Sequence, residues 1–297
     1  MQNHTIKVWS VKGNEQWLDG GAMFGNAPKA VWQRWYEPDA ASRIRLNCRS
    51  LLVELDGKKI LCETGIGAYM EPKMRERYGV ESADHLLVSR LASLGVQPDD
   101  IDYVILSHLH FDHAGGLLPA YGQWHEPITP DQLLFQNAQY VVGREAFQRA
   151  IKPHFRDRAS FIPGLAAALK DSSRLQLVER SETISSIDPA IGYRFSDGHT
   201  PGQMHTVISG AKRKIIFAGD LIPGTAWVHL PITMGYDRFP EQLIDEKQDL
   251  YQTCVAEKWM IFLTHDPLVA ACEVHCDESG RRYFAAETIE ELHGLEL

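Results

Sequence analysis

The amino-acid sequence predicts an α+β protein, an αββα sandwich of two mixed β-sheets with helices on the outer faces. Two hairpins carry this prediction, because residues 51–65 and residues 206–220 each show a strand, a turn, a second strand and then a polar residue beside glycine. Amphipathic helices accompany the hairpins, and two such halves can bury their apolar faces against each other. No low-complexity linker interrupts the chain, so we expect residues 1–297 to form a single domain.

Each element follows from its local pattern. In the first hairpin, residues 50–55 and 59–62 flank Asp56-Gly57, a favoured two-residue turn between antiparallel strands. Short apolar runs or alternating patterns predict the other strands, and apolar residues three or four positions apart predict the helices. In chain order these are strand 6–11, helix 80–94, strands 101–106 and 139–142, helix 145–152, strands 175–178, 193–196, 206–209 and 214–218, helix 241–258, and strands 259–263, 268–274 and 281–285.

The helix predicted at residues 80–94 depends on a stripe of apolar side chains. The stripe consists of Ala83, Leu86, Leu87, Leu91 and Leu94. Gly95 follows the last of these residues, and glycine commonly ends a helix. We therefore expect all five apolar residues to face the core.

Composition and charge exclude several partners. The net charge is −9, whereas a protein that binds nucleic acid usually carries a basic stripe. No apolar run approaches the roughly 18 residues of a membrane span, and residues 1–5 lack the basic and apolar segments of a signal peptide. The five cysteines are scattered and odd in number, which favours free thiols in a reducing compartment. We therefore expect a cytoplasmic protein that binds neither nucleic acid nor membranes.

The strongest functional signal is a cluster of metal-ligand residues directly after strand 101–106. His108, His110, Asp112 and His113 fall within six residues. In extended backbone the first two histidines share a face, and the other two residues follow in the loop. Imidazole and carboxylate bind zinc and its first-row neighbours, and four ionisable groups are costly to pack together without a cation. The cluster therefore predicts a metal site, with Asp112 and His113 available for a second ion.

This cluster resembles the His-x-His-x-Asp-His signature of the metallo-β-lactamase superfamily. Further motifs follow in that family's order, namely Gly-His-Thr-Pro-Gly at residues 198–202, Gly219-Asp220 at a strand end, and Thr-His-Asp at residues 264–266. The resemblance implies the metallo-β-lactamase fold and two divalent metal ions, zinc first, with manganese, iron or cobalt as alternatives. It implies these ligands: His108, His110 and His199 for one metal, Asp112, His113 and His265 for the other, and Asp220 as the bridge.

The resemblance also implies a reaction. Two metals that share a water lower its pKa, and the resulting bridging hydroxide attacks the substrate. Asp220 bridges the metals and Asp112 relays the proton, so these two are the predicted catalytic residues. Within the superfamily, the sequence looks most like quorum-quenching N-acyl homoserine lactone lactonases, since residues 20–25 resemble the start of a lactonase-like subgroup. We therefore expect a lactonase that opens N-acyl homoserine lactones or related lactones.

Two departures from the lactonase pattern leave alternatives. Pro223 stands where several lactonases carry a tyrosine that binds the carbonyl oxygen, so that role would pass to the metal alone, His229 or Thr225. Gln203 stands where the family often has histidine. A phosphotriesterase or arylesterase of the methyl-parathion-hydrolase type is the main alternative, and a non-catalytic metal-binding sensor is a weaker one. A glyoxalase-II-like thioesterase is disfavoured because the sequence shows no basic cluster for an anionic substrate.

The predicted partner is a small-molecule substrate with an apolar part. Met23, Phe24, Trp227 and His229 are the candidate substrate-binding residues, because they lie in loops near the motifs. The aromatic-rich segment 23–36 could instead cover the core, or could bury itself in a homodimer.

Overall fold

The structure of the protein, a computed structural model, describes residues 5–297. Residues 1–4, part of the stretch without signal-peptide features, lie outside the described residues. The strands are β1 (Ile6–Lys12), β2 (Gln16–Asp19), β3 (Arg43–Leu46), β4 (Arg49–Leu55), β5 (Lys58–Cys62), β6 (Tyr103–Leu106), β7 (Gln139–Gly143), β8 (Leu175–Val178), β9 (Ile191–Ser196), β10 (Gln203–Ser209), β11 (Lys214–Phe217), β12 (Met260–Phe262), β13 (Ala271–Cys276), β14 (Tyr283–Ile289) and β15 (His293–Glu296). The α-helices are α1 (Gly20–Phe24), α2 (Lys29–Trp32), α3 (Pro72–Tyr78), α4 (Leu86–Ser93), α5 (Phe111–Ala114), α6 (Arg144–Ile151), α7 (Leu165–Asp171) and α8 (Pro240–Glu257).

Two mixed sheets pack face to face at the centre of the fold. One has the order β15-β1-β4-β5-β6-β7-β8, and the other has the order β14-β13-β12-β11-β10-β9. The first is parallel from β5 to β8 and antiparallel elsewhere, while in the second only β11 and β12 are parallel. Buried side chains of both sheets, such as Val53 and Ile105 from one and Met204 and Phe217 from the other, form a single apolar cluster. This shared core makes the molecule a sandwich.

Helices cover the outer face of each sheet. Leu87 and Leu91 of α4, together with Phe147 of α6, pack in the cluster outside the first sheet. Leu243 and Tyr251 of α8 pack in the cluster outside the second sheet. The predicted αββα fold is therefore confirmed.

The helix predicted at residues 80–94 is shorter than expected. It begins at Leu86, whose backbone N–H donates to Asn14 Oδ1 at 3.0 Å, and His85 Nδ1 accepts from the backbone N–H of Val88 at 3.4 Å. These two hydrogen bonds cap the N-terminal end of the helix, and the spacing of the apolar residues does not reveal where that end lies. Ala83 precedes the helix and Leu94 is 42% exposed, so the prediction that both face the core is wrong.

Several elements have no counterpart in the predictions, namely β2, β3, β15, α1, α2, α3, α5 and α7. β2 and β3 form a separate two-stranded sheet beside the sandwich, and α3 precedes α4. The end of the chain, predicted as a hairpin, continues into β15, where Leu295 pairs with Val8 of β1. Among residues 5–297, no helix has both the length and the apolar character needed to cross a membrane.

Candidate metal centre

The candidate ligands follow the C-terminal ends of strands at one edge of the sandwich. His108 follows β6, Asp220 follows β11 and His265 follows β12. β5 and β6 are parallel neighbours in one sheet, and β11 and β12 are parallel neighbours in the other, so their ends point the same way. His199 lies in the turn between β9 and β10. The fold therefore brings residues from distant parts of the sequence to one place.

Glycines allow the loops to approach each other closely. A Cβ atom at Gly116 would lie 2.0 Å from the carbonyl oxygen of Thr64, so the loop after His113 can rest on the end of β5 only with glycine there. The backbone N–H of Thr64 donates to the carbonyl oxygen of His113 at 3.0 Å. Gly219 has a φ of +52°, a conformation that side chains disfavour, and it directs Asp220 into the site.

The first group of ligands consists of three histidines. Ligand atoms of His108, His110 and His199 lie within 4.8 Å of one another. His110 Nδ1 and His199 Nε2 are 3.2 Å apart, and Asp220 Oδ2 lies 3.3 Å from His199 Nε2. Nδ1 of His108 is 2.8 Å from Ser107 Oγ, which leaves its Nε2 buried without a hydrogen-bond partner among residues 5–297. These nitrogens converge on one point.

The second group consists of Asp112, His113 and His265. The Nε2 atoms of the two histidines are 3.2 Å apart, and Asp220 Oδ1 lies 3.3 Å from His113 Nε2 and 3.2 Å from His265 Nε2. Asp112 Oδ1 lies 3.7 Å from His113 Nε2, and its Oδ2 lies 3.6 Å from His265 Nε2. Asp220 thus presents one oxygen to each group, as the predicted bridge requires.

The donor atoms fit a divalent cation. Nδ1 of His113 donates to Glu63 Oε2 at 2.7 Å, and Nδ1 of His265 donates to the carbonyl oxygen of Asn47 at 2.6 Å. In the neutral rings both Nε2 atoms are therefore acceptors, and they face each other and Asp220 with no hydrogen between them. Two ligand atoms bound about 2.0–2.1 Å from one tetrahedral zinc ion stand about 3.3 Å apart, which is close to the separations found here.

The electrostatics favour positive charge at this site. Burial and the neighbouring imidazoles hold the pKa of His108 and His110 well below its usual value, so both rings are neutral and can bind a metal. Burial opposes charge on His113 and His265 as well, but nearby carboxylates outweigh it and raise their pKa well above the usual value. The same histidines outweigh burial at Asp220 and hold its pKa well below the usual value.

Two supporting residues were not predicted from the sequence. Gln16, on β2, is fully buried, and its Nε2 donates to Asp112 Oδ2 at 2.7 Å. Asp237 Oδ1 accepts a hydrogen bond from His199 Nδ1 at 2.9 Å, which points the other ring nitrogen into the site. They are 96 and 38 positions away from their partners, so no local motif connects them. A buried polar residue in the small sheet becomes informative only once the fold is known.

A cavity of about 580 Å³ opens from the candidate metal centre. Five of the predicted ligands reach it: His110, Asp112, His199, Asp220 and His265. Much of the remaining wall is apolar or aromatic, and this part includes Leu18, Met23, Leu46, Tyr78, Phe111, Met234 and Tyr236. Cavities of this size and character bind small organic molecules.

The structure corrects three of the four predicted substrate contacts. Met23 lines the cavity, so its predicted contact with substrate stays a prediction. Phe24 and Trp227 are fully buried and stacked, with ring centroids 4.5 Å apart, and they lie behind the wall rather than on it. His229 stacks on Trp35 at 5.2 Å and lines a separate surface cavity. Aromatic packing, rather than substrate, accounts for these three residues.

The aromatic-rich segment 23–36 covers part of the core. Trp32 and Tyr36 are 2% and 6% exposed and pack in one cluster with Phe24. Trp35 is 38% exposed at the edge of this cluster. The core-covering alternative therefore describes most of the segment, and a homodimer through it stays a prediction.

Four arginines line the cavity, although the sequence contains no basic run at their positions. They are Arg43, Arg77, Arg156 and Arg238. Their segments are far apart in the chain and meet only in the folded protein. The premise that the chain offers no basic cluster to an anionic substrate is therefore wrong.

Comparisons with known proteins agree with this geometry. The sequence matches the metallo-beta-lactamase superfamily over residues 43–253. It is 25% identical to an N-acyl homoserine lactonase of Bacillus thuringiensis over 242 residues, which cover 72% of this chain and 79% of that protein. A solved structure of a probable metal-dependent hydrolase from Staphylococcus aureus is similar with a TM-score of 0.82 and 27% identity, over 97% of this chain and 100% of that chain. A dizinc quorum-quenching lactonase has the same fold, with a TM-score of 0.73 and 19% identity over 96% and 95% of the two chains.

Proposed function

The chain belongs to the metallo-beta-lactamase superfamily and is a hydrolytic enzyme, and from this premise we propose that it is a dinuclear lactonase that opens N-acyl homoserine lactones or related lactones. The observation that carries the proposal is the pair of ligand groups joined by Asp220 at the base of a largely apolar cavity. The name of the Bacillus thuringiensis relative, an N-acyl homoserine lactonase, supports the substrate class.

The two ligand groups and Asp112 have different roles in the proposed reaction. Two divalent ions, zinc in the first instance, would be held by the two groups and by Asp220, and they would activate a water and polarise the substrate carbonyl. Asp112 Oδ2 is occupied by Gln16, whereas its Oδ1 receives no hydrogen bond from the described residues. We assign Asp112 Oδ1 as the atom that takes up the proton released during attack.

Tyr236 is the donor that we assign to the substrate carbonyl oxygen in place of the tyrosine lost at Pro223. The two donors considered from the sequence do not suit this role, because Thr225 Oγ1 donates to Asp266 Oδ2 at 2.7 Å and His229 lies outside the cavity. Tyr236 lines the cavity, and burial together with the Asp112 carboxylate raises its pKa to about 12. Its hydroxyl therefore keeps its proton at neutral pH and can donate.

The test is hydrolysis of a lactone panel by the zinc-loaded protein beside a paraoxon-type phosphotriester. We expect lactone kcat/KM of about 10⁴ M⁻¹s⁻¹ or more, a loss of at least about 100-fold in Asp220→Asn, and no loss in Asp245→Asn, an exposed carboxylate on α8. Tyr236→Phe should lower kcat by about tenfold or more, because it removes one donor to the developing charge. Full turnover by the metal-free protein would contradict the metal mechanism.

The phosphotriesterase or arylesterase alternative has one specific observation in its favour. Pro223 removes a hydroxyl that several lactonases use, and its carbonyl oxygen accepts from the backbone N–H of His265 at 2.8 Å instead. A substrate held mainly by apolar walls would depend less on that hydroxyl. Stronger turnover of the phosphotriester than of any lactone would make this the better description.

A further inference from the structure

Three arginines in the wall of the metal-centre cavity have no carboxylate partner among residues 5–297, and two of these, Arg156 and Arg238, influence each other's charge. The Arg238 side chain makes no ion pair and no side-chain hydrogen bond with any residue in the described range 5–297. The Arg156 side chain donates from Nη2 to the carbonyl oxygen of Gly235 at 2.9 Å, and no carboxylate of the described part of the chain pairs with its charge. We call these two residues the arginine pair.

The acidic residue whose charge acts on Arg238, Asp157, is already engaged. Asp157 is 5% exposed, and its Oδ2 accepts from Arg149 Nε at 2.9 Å and from Arg149 Nη2 at 2.7 Å. Burial and the positive charge of Arg156 both lower the pKa of Arg238, and the opposing effect of Asp157 does not outweigh them. The two guanidinium groups therefore repel each other. This wall therefore carries excess positive charge in a protein whose net charge is −9.

The other two arginines in the cavity differ from the arginine pair. Arg43 donates from Nε to Asp39 Oδ2 at 2.8 Å, so its charge is compensated within the protein. The Arg77 guanidinium lies 5.7 Å from the ring centroid of Tyr78. Arg77 also lacks a carboxylate partner among residues 5–297, but it is Arg156 whose charge acts on Arg238. Arg156 and Arg238 thus place two uncompensated guanidinium groups in the same part of the wall.

We propose that this cavity selects substrates that carry an oxyanion, a carboxylate or a phosphate, in addition to the bond that is hydrolysed. Arg156 and Arg238 bind that oxyanion, because a guanidinium group matches its geometry with two parallel hydrogen bonds and the anion removes their mutual repulsion. The apolar wall holds the apolar part of the substrate, and the 580 Å³ cavity has room for both parts.

This inference rests on the proposed hydrolase function and narrows its substrate class. An uncharged N-acyl homoserine lactone would leave the arginine pair without a partner. A lactone or ester of the same length with a terminal anion would fill the same cavity and pair both guanidinium groups. We therefore expect the charged substrate to be preferred.

The experiment compares matched γ-lactones whose side chains end in a carboxylate, a phosphate or a neutral carboxamide of similar size. For the zinc-loaded protein we expect kcat/KM at least about tenfold higher for one of the anions than for the carboxamide, mainly through KM. In Arg156→Gln/Arg238→Gln this ratio should fall to about one, and Arg238→Lys should keep part of it. The matched control is Arg158→Gln, an exposed arginine that lies over the Phe155 ring at 5.1 Å and does not line the cavity.

The outcomes separate the two proposals. A ratio near one in the natural protein, or an unchanged ratio in the double variant, overturns the oxyanion inference, while carboxamide turnover still reports the hydrolase function. The carboxylate and phosphate arms identify which oxyanion is preferred. If the natural protein hydrolyses none of the lactones, the proposed function fails and titration calorimetry decides the inference. Tenfold tighter binding of a dicarboxylate than of its monoamide, abolished in the double variant, supports it, and equal binding overturns it.

Discussion

Glu63 shows how one buried residue can organise several candidate ligands. Its Oε2 accepts from His113 Nδ1 at 2.7 Å, and its Oε1 accepts from the hydroxyl of Ser107, which in turn lies beside His108 Nδ1. Both carboxylate oxygens thus accept hydrogen bonds, and through them Glu63 orients the ligands His113 and His108. Its φ of +62°, uncommon for a residue with a side chain, is compatible with these two contacts holding the end of β5 in place.

Glu63→Gln should weaken metal binding while leaving the fold intact. The amide has one acceptor oxygen in place of two, so either His113 or Ser107 loses its partner, and losses of this kind typically lower metal affinity by about 10- to 100-fold. Competition with a chromophoric zinc chelator measures the affinity. The control is Glu54→Gln, an exposed glutamate on β4. Equal zinc affinity in Glu63→Gln and the natural protein would show that Glu63 does not orient the ligands.

Among the secondary-structure elements, α8 holds a segment of the cavity wall in place through hydrogen bonds from one buried lysine. Lys247 is fully buried, and its Nζ donates to the carbonyl oxygens of His229, Leu230 and Ile232 at 3.0, 3.2 and 2.9 Å. These contacts hold the segment that leads to Tyr236. The helix therefore places a residue of the cavity although its own side chains do not line it.

β10 carries a buried histidine that makes the second sheet sensitive to acid. His205 is 2% exposed, and its Nε2 lies 2.8 Å from the hydroxyl oxygen of Ser196 on β9. Burial lowers its pKa to about 4, whereas an exposed histidine has a pKa of about 6.5. Between these values the unfolded chain binds a proton that the folded protein excludes. The contribution of His205 to stability is therefore complete above pH 6.5 and is lost as the pH falls towards 4.

Replacing His205 should reduce the acid sensitivity of the fold. From pH 7.5 to pH 5 the natural protein should lose about 2 kcal/mol of unfolding free energy through this residue. The total loss over the same interval should therefore be about 2 kcal/mol smaller in His205→Gln. Urea unfolding at both pH values measures the difference, and comparing the two proteins cancels the effect of other histidines. His275→Gln, an exposed histidine on β13, is the control. The same pH dependence in His205→Gln and the natural protein would refute the assignment.

At the scale of the whole molecule, the candidate metal centre joins the two sheets. His108 and His113 follow a strand of the first sheet, whereas Asp220 and His265 follow strands of the second. His113 of the first sheet faces Asp220 and His265 of the second across this seam at 3.3 and 3.2 Å. Cations bound there would connect the two halves of the sandwich, so metal binding and stability should be coupled.

Metal removal should therefore lower the melting temperature. At free zinc of about 1,000 times Kd, binding stabilises the folded state by about 4 kcal/mol, which for a chain of this length corresponds to a Tm difference of roughly 10 °C. Thermal scans of chelator-treated and zinc-restored protein measure it. In Asp220→Asn the melting temperature should rise much less when zinc is restored, because this variant lacks one of the two bridging oxygens. An identical Tm with and without zinc would rule out this coupling.

The fold class and the seven candidate ligands could be predicted from the amino-acid sequence. These predictions depend on local properties of the sequence. The properties are hairpin turns, the periodicity of apolar residues, and the spacing of His108, His110, Asp112 and His113. Even so, the start of α4 was misplaced, because its caps come from Asn14 and His85 rather than from the apolar stripe.

The surroundings of these ligands, in contrast, could be identified only in the folded protein. Gln16 reaches Asp112 across 96 positions, and Arg156 and Arg238 meet in one wall because separate loops pack together there. Phe24 and Trp227, which sequence reasoning assigned to substrate, stack on each other because burying two aromatic rings is favourable wherever the fold allows it. Contacts between residues far apart in the chain depend on how the sheets and loops pack, and no local pattern records that packing.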